Sequence, residues 1–410
     1  MSQMIVIGGG AAGMMAAISG AKAGHQVRLL EKNEKLGKKI YITGKGRCNL
    51  TNACPMEDMM ASVVTNSKFL YSSFYGFTNQ DVMDLVESAG CPLKVERGGR
   101  VFPVSDHSSD IIRALADCMR QLGVQVSLNT EVESLIVEEG VCRGVVLKEG
   151  KKRLKADRVV VATGGLSYPS TGSTGDGYQW AREAGHKVTD LFPALVPFEA
   201  EELEDVKALQ GLSLKNVEIA VHMGKRQLYR EQGEMLFTHF GVSGPLILSA
   251  SSFCAKAIRK CPLALLIDLK PALSMEQLDA RILRDFSGAA NKQFKNALNH
   301  LYPAKLIPVI IRRTGIDPEK PVNAITRQER QILCQMTKSL SFTLTSLRGF
   351  REAIITQGGI SVKEIDPATM ESKKVKGLYF IGEVLDLDGV TGGFNLQIAW
   401  STAKAAAREE

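Results

Sequence analysis

The chain opens on alternating strand-like and helix-like patterns. QMIVIGGG is a short, continuous apolar run entering glycines, which predicts a buried parallel strand and a turn. Residues 11–23 follow with Met14, Met15, Ala16, Ala17 and Ile18 and no breaker before Gly24, predicting a buried helix with a glycine C-cap. HQVRLLEK reads as a second strand, completing a strand–helix–strand unit. Over 108–122, Ile111, Ile112, Leu115, Cys118, Met119 and Leu122 fall at helical spacing. The stretch 124–165 reads as several strands in a meander, ending in the β-rich RVVVATGG.

The texture changes near Leu191. LFPALVPFEA carries two prolines, and the chain to about Pro262 reads as further strands broken by glycine turns. Residues 274–339 look helical. Strands return from Phe342, and GLYFIGEVLDLDG leads into a final helix expected over 395–408. An α/β beginning and an α/β ending therefore enclose a long insertion. The boundaries expected are 1–190 with 342–410 for the nucleotide-type domain, 191–272 with 335–345 for a β-rich insert, and 273–334 for a helical subdomain.

Composition changes this picture little. The 410 residues are 44% hydrophobic and 23% charged, as in globular proteins of two or three domains. No apolar stretch is long enough to span a bilayer, and the N-terminus lacks the basic region and cleavage site of a signal peptide. The eight cysteines form no CxxC pair and no metal-ligand spacing, so no metal is expected. Unpaired thiols and the missing leader point to the cytoplasm. The net charge of +7 is mild and is read first as surface lysine; a polyanionic ligand such as RNA is the sharper alternative.

The chemistry begins at Gly8-Gly9-Gly10-Ala11-Ala12-Gly13, which fits G-x-G-x-x-G between a strand and a helix. Gly8 permits the tight turn, Gly10 admits a diphosphate to the helix N-terminus, and Gly13 lets the helix lie close on the strand. Glu31 closes the second strand, placed for a ribose hydroxyl pair, and argues against a 2′-phosphate; Lys32 beside it is also a candidate cofactor contact. Two more strands run into glycine or acidic turns, at ATGG (Ala162, Thr163, Gly164, Gly165) and at Gly382-Glu383 with Asp386 nearby. A cofactor gripped from the beginning, middle and end of the chain is extended and tightly held, which suits FAD better than a transient NAD.

These three segments resemble those of the glutathione-reductase-like flavoproteins. EKNEKLGKKIYITGKGRCNLTN, GGRVFPVSD, ATGGLSYPSTGSTGDGY, GEMLFTHFGVSGPLIL and the stretch from GGISVKEID to GGFNLQIAWS are similar to one bacterial family within that group. Its members are named aminoacetone oxidases or 3-dehydro-bile-acid reductases. The resemblance covers essentially the whole chain. It implies an α/β fold with a Rossmann-like FAD-binding domain of glutathione-reductase type, interrupted by a β-barrel insert and a small helical subdomain. It also implies FAD contacts from Lys39, Gly46, Arg47, Cys48 and Asn49, and a backbone contact to adenine at Val132. A ribityl hydroxyl would go to Glu383 or Asp386. Gly393, Phe394, Asn395 and Leu396 would bring the N-terminus of the last helix to the anionic edge of the flavin. Cys48 lacks a partner cysteine, so a packed thiol is expected rather than a redox one. Asn395 could alternatively be a simple N-cap.

For substrate the pattern thins. Arg100, Tyr168 and His239 are the candidates, each with a structural alternative. The function expected is a FAD-dependent oxidoreductase passing hydride between flavin and a small organic substrate or NAD(P)H. Amine oxidation and NAD(P)H-dependent enone reduction are both open. The rival is a flavin-dependent RNA-modifying or RNA-binding protein, with nucleic acid the less favoured partner. Oligomeric state is not read from the chain.

Overall fold

The computed structural model describes residues 2–407, so Arg408 of the expected last helix lies outside the described residues. The chain forms two compact units, Met1–Ala194 with Gly349–Glu410, and Leu195–Arg348.

The first unit is built on a parallel sheet of β1 (Gln3–Ile7), β2 (Gln26–Leu30), β3 (Gln125–Ser127), β4 (Arg158–Val161) and β5 (Leu378–Phe380). Its order is β5-β4-β1-β2-β3. Central β1 pairs Met4–Ile7 with Arg158–Val161 on one side and Gln3–Ile7 with Gln26–Leu30 on the other. A strand covered on both faces has no need to alternate, and Met4 to Ile7 are all buried. Helix α1 (Ala11–Lys22) buries nine of its residues and packs against the last helix, α3 (Phe394–Ala405). Between them in sequence lies the short helix α2 (Lys38–Ile42).

The expected meander resolves differently from its pattern. Gln125–Ser127 and Arg158–Val161 join the parallel sheet; only Val132–Glu138, Val141–Leu147 and Arg153–Lys155 form the antiparallel three-stranded piece. Strand patterns carry no label for the sheet they join, so neighbours in sequence were grouped together.

The second unit is a closed six-stranded antiparallel barrel with helices. Its strands are Phe198–Ala200, Ser213–Met223, Arg226–Phe237, Gly241–Ser243, Leu263–Asp268 and Leu340–Leu347, with the first and last pairing to close it. Leu263, Leu265 and Ile267 face inward opposite Leu344, Phe342 and Leu340. Because Leu340–Leu347 belongs to the barrel, the chain returns to the nucleotide-type unit at Gly349 rather than at 342, and it leaves that unit after Ala194 rather than 190.

One expected strand region is a helix. Pro245–Ile258 is α-helical, with Pro at its first turn and Leu246, Ala250, Cys254 and Ile258 spaced four apart into the barrel core. The intervening serines and alanines are small and are also buried, which hid the period. Helices at Met275–Ser287, Ile307–Thr314 and Arg327–Lys338 fill the stretch read as helical.

Candidate functional site

The glycine turn has the shape its sequence asks for. Gly8 has φ +106°, and a Cβ on it would lie 2.6 Å from the Ala162 carbonyl oxygen. A Cβ on Gly13 would lie 1.8 Å from the Gly8 oxygen, so α1 sits as close to β1 as a backbone allows. Gly10 is different: nothing lies within 4 Å of the place its Cβ would occupy. It is the N-cap of α1, with no side-chain cap and no acid in the first turn, which leaves N–H groups and the positive helix end open above it.

Glu31 is 7% exposed and its carboxylate is largely engaged. Oε2 accepts the Gly9 N–H at 2.6 Å, and Oε1 accepts the backbone and side-chain N–H groups of Asn33 at 2.7 Å each. An ionised carboxylate has about four acceptor positions, so one is left for a ribose hydroxyl. Lys32 donates to Asp176 at 2.7 Å and to Thr174 at 2.6 Å, which leaves one of its three N–H groups. Val132 is buried at the entry of its strand, two residues after Thr130 donates its N–H to the Glu31 carbonyl.

The middle and last segments meet the turn. Gly8 touches Ala162 at the end of β4, and a Cβ on Gly382 would come within 2.9 Å of the Ala12 methyl. The Thr163 hydroxyl is buried with no hydrogen-bond partner, and so is the Asn49 side-chain oxygen. Gly164 has φ +70°, and a Cβ on Gly165 would strike Thr356 and approach Glu383 Oε1. The α3 N-cap is Gly393, with φ +100° and no side-chain cap; a Cβ there would come within 2.5 Å of the Thr51 backbone. Asn395 therefore is not the N-cap. Its amide instead exchanges hydrogen bonds with Gly389 at 2.9 and 2.8 Å. Phe394 is buried and Leu396 half-buried beside it.

The loop 43–49 is drawn tight, with Gly44, Lys45, Gly46 and Cys48 all at positive φ. Arg47 is held outward by Glu96 and by Asp106 at 2.7 Å, and stacks 4.1 Å from the Phe102 ring centre. Through Nε and Nη2 the guanidinium thus fastens the loop. Cys48 is fully buried, and burial pushes its thiol up to about 12, which suits packing and not redox chemistry.

Glu383 has partners that the sequence did not announce. Its oxygens accept from Ser167 Oγ, the Thr356 N–H and Lys39 Nζ at 2.7, 2.9 and 2.5 Å. Ser167 stands within the ATGGLSYPSTGSTGDGY motif, whereas Thr356 carried no motif signal. Asp386 is half-buried, and its carbonyl accepts from Asn66 at 2.8 Å.

Each substrate candidate has its own surroundings. Tyr168 is half-buried beside the ATGG turn with φ +51°, an uncommon conformation for a bulky residue. Arg100 is on the surface, donating to the Arg97 carbonyl. His239 is exposed on a turn of the barrel unit, edge-on to Phe240 at 5.0 Å. Among the described residues no group of acids, histidines and cysteines has metal-binding geometry, and no helix is long and apolar enough to cross a membrane.

A parallel sheet whose first crossover carries an open, uncapped glycine turn, with two later segments closing on it, is the architecture of a Rossmann-type dinucleotide-binding unit. Residues 2–409 match the family model described as "HI0933-like protein Rossmann domain", and the chain belongs to that family. It is a FAD-dependent oxidoreductase. It is 32% identical to the 3-dehydro-bile acid delta(4,6)-reductase of Clostridium scindens, covering 100% of this chain and 98% of the relative. It is 34% identical to the ribosomal RNA dihydrouridine synthase of Haemophilus influenzae, covering 99% and 98%. Among solved structures, the 3-ketosteroid delta1-dehydrogenase of Sterolibacterium denitrificans shares the fold, with TM-score 0.53 and 15% identity over 99% of this chain and 98% of that one.

Proposed function

We propose that the protein reduces a carbon–carbon double bond conjugated to a carbonyl, with NAD(P)H as electron source. The observation that carries the flavin part of this reading is an open dinucleotide cradle closed by three chain segments, in a sequence with no second G-x-G-x-x-G turn. Its substrate class draws on the relatives. A delta(4,6)-reductase and a dihydrouridine synthase bear names for the same change, saturation of a ring double bond in conjugation with a carbonyl.

FAD, when bound, supplies the two-electron chemistry between donor and substrate. The substrate gains a hydride at one carbon and a proton at the other, while NAD(P)H becomes NAD(P)⁺. In this reading Gly8, Gly10 and the α1 N-terminus hold the diphosphate, and Glu31 takes a ribose hydroxyl. Asn49 and Thr163 spend their orphaned buried atoms on the cofactor, since a polar atom left unpaired there is costly. The uncapped α3 N-terminus at Gly393 favours negative charge on the flavin. Tyr168, whose phenol is protonated at neutral pH and is raised further by burial with Glu352 adding to it, is a candidate proton donor.

A second reading, a uracil ring within RNA as the substrate, is favoured by where the charge lies. Residues 195–348 hold 21 Lys and Arg against 15 Asp and Glu, nearly all of the chain's excess of +7. An anaerobic absorbance titration tests both. Bleaching by NADH or NADPH, then recovery on adding a 3-oxo-4-ene steroid, supports the small-molecule substrate; recovery only with unmodified ribosomal RNA supports the RNA. Bleaching by aminoacetone alone would establish the amine oxidase and end the reductase reading.

A further inference from the structure

Glu383 stands where a cofactor-binding acid was expected, yet its carboxylate is turned to the protein. Oε1 accepts from Ser167 Oγ and the Thr356 N–H, at 2.7 and 2.9 Å. The backbone at Gly165 closes the same side: a Cβ there would stand 3.0 Å from Oε1. Oε2 takes the Lys39 ammonium at 2.5 Å. Lys39 also donates to Ser167 Oγ at 2.6 Å. Ser167 is fully buried, and the two charged side chains are each 20% exposed.

The location of this cluster matters. Gly37, which leads into α2, donates its N–H to the Gly9 carbonyl at 2.8 Å, so Lys39 is tied to the glycine turn. Glu383 follows Gly382, which packs on Ala12 at the start of α1. Segments from the start, middle and end of the chain thus converge on one ion pair beside the diphosphate end of the cradle. An ammonium has three N–H donors, and Ser167 and Glu383 use two. Glutamate is one methylene longer than aspartate, and that length carries its charge to the lysine.

We propose that Glu383 is a positioning residue that acts through Lys39. The carboxylate acts by orienting the ammonium, whose remaining N–H donates to an oxygen of FAD, and not through the acceptor position left on Oε2. The inference rests on the FAD reading above. It differs from a second acidic ligand because the two residues then serve as one unit, and units of this kind are not additive.

The test is a double-mutant cycle read by FAD binding, following flavin fluorescence as FAD is titrated into apoprotein. K39M and E383Q should each weaken FAD on the order of 10- to 100-fold, the effect of losing a hydrogen bond to a charged group. K39M/E383Q should be no weaker than K39M, within about threefold. Losses that multiply in the double variant would show that Glu383 meets the cofactor independently and would overturn the inference, as would K39M binding FAD like the wild type. If either variant fails to fold, K39R decides: its charge remains but the donor is displaced, so FAD affinity should drop at least about tenfold, and unchanged affinity refutes the role. A wild-type protein that takes up no FAD sinks the flavoprotein reading itself, a separate outcome.

Discussion

Gly10 and Gly13 share one turn but have opposite surroundings, so their alanine variants separate stability from cofactor retention. A methyl at Gly13 would lie 1.8 Å from the Gly8 oxygen, and either α1 or the turn must move. Overpacking of this kind costs about 1–3 kcal/mol. In a unit of this size each kcal/mol is about 2–4 °C, so G13A should melt up to about 10 °C lower. Gly10 meets nothing within 4 Å, and its φ of −82° and ψ of −166° are open to alanine. Only the weaker N-cap preference of alanine counts, about 0.5 kcal/mol, so apo G10A should melt within about 2 °C of wild type. The same methyl, however, fills the space over the α1 N-terminus. Pushing a diphosphate off one or two N–H donors costs about 3 kcal/mol, or about 150-fold in affinity. Melting of the apoproteins and FAD titration together check this. G10A that binds FAD like the wild type would place the diphosphate elsewhere; G10A that melts as low as G13A would refute the open face.

Three other outcomes follow from the same structure. Burial holds the Cys48 thiol up at about 12, so iodoacetamide at pH 8 should label exposed Cys261 in the native protein and leave Cys48 unmodified; equal labelling by peptide mass spectrometry contradicts its packing. Burial alone would raise Asp205, but hydrogen bonds from Arg312 and Arg313 bring it below the usual carboxylate range. Its contribution is present above the unfolded value of about 3.9 and is lost as pH falls through the lower folded one. D205N should therefore cost about 2 kcal/mol in urea unfolding at pH 7, with the difference shrinking toward pH 2. His186 is pushed below its ordinary value by burial, which outweighs the attraction of Glu364 and is joined by repulsion from Lys374. The unfolded chain then takes up the proton first, so stability should decline as pH drops below about 6.5. In H186Q that part of the slope should vanish; an unchanged slope between pH 5 and 7 excludes His186 as its source.

Much of the nucleotide-type unit was legible because its determinants are local. The apolar run to Ile7, the glycines at 8, 10 and 13, the breaker-free helix and Glu31 lie within about thirty residues, and each acts on its immediate neighbours. The helical stretch after residue 273 was readable for the same reason, its period and its capping boxes at Ser274 and Thr326 being written in adjacent residues. The family was readable from long motifs spread over the whole chain.

Tertiary structure decided what depends on partners far apart in sequence. Barrel closure joins Phe198 to Leu347, and no pattern at either strand names the other. The helix at Pro245–Ile258 shows its period only when the barrel core defines which face is inside. That Arg47 would pair with Glu96 and Asp106, some fifty residues on, shows only in the fold. That Lys39, Ser167 and Thr356 would meet at the Glu383 carboxylate is likewise written in no single stretch of the chain. A side chain's type states what it can bond. The fold, by setting which groups reach it first and which remain buried without a partner, determines what it does bond.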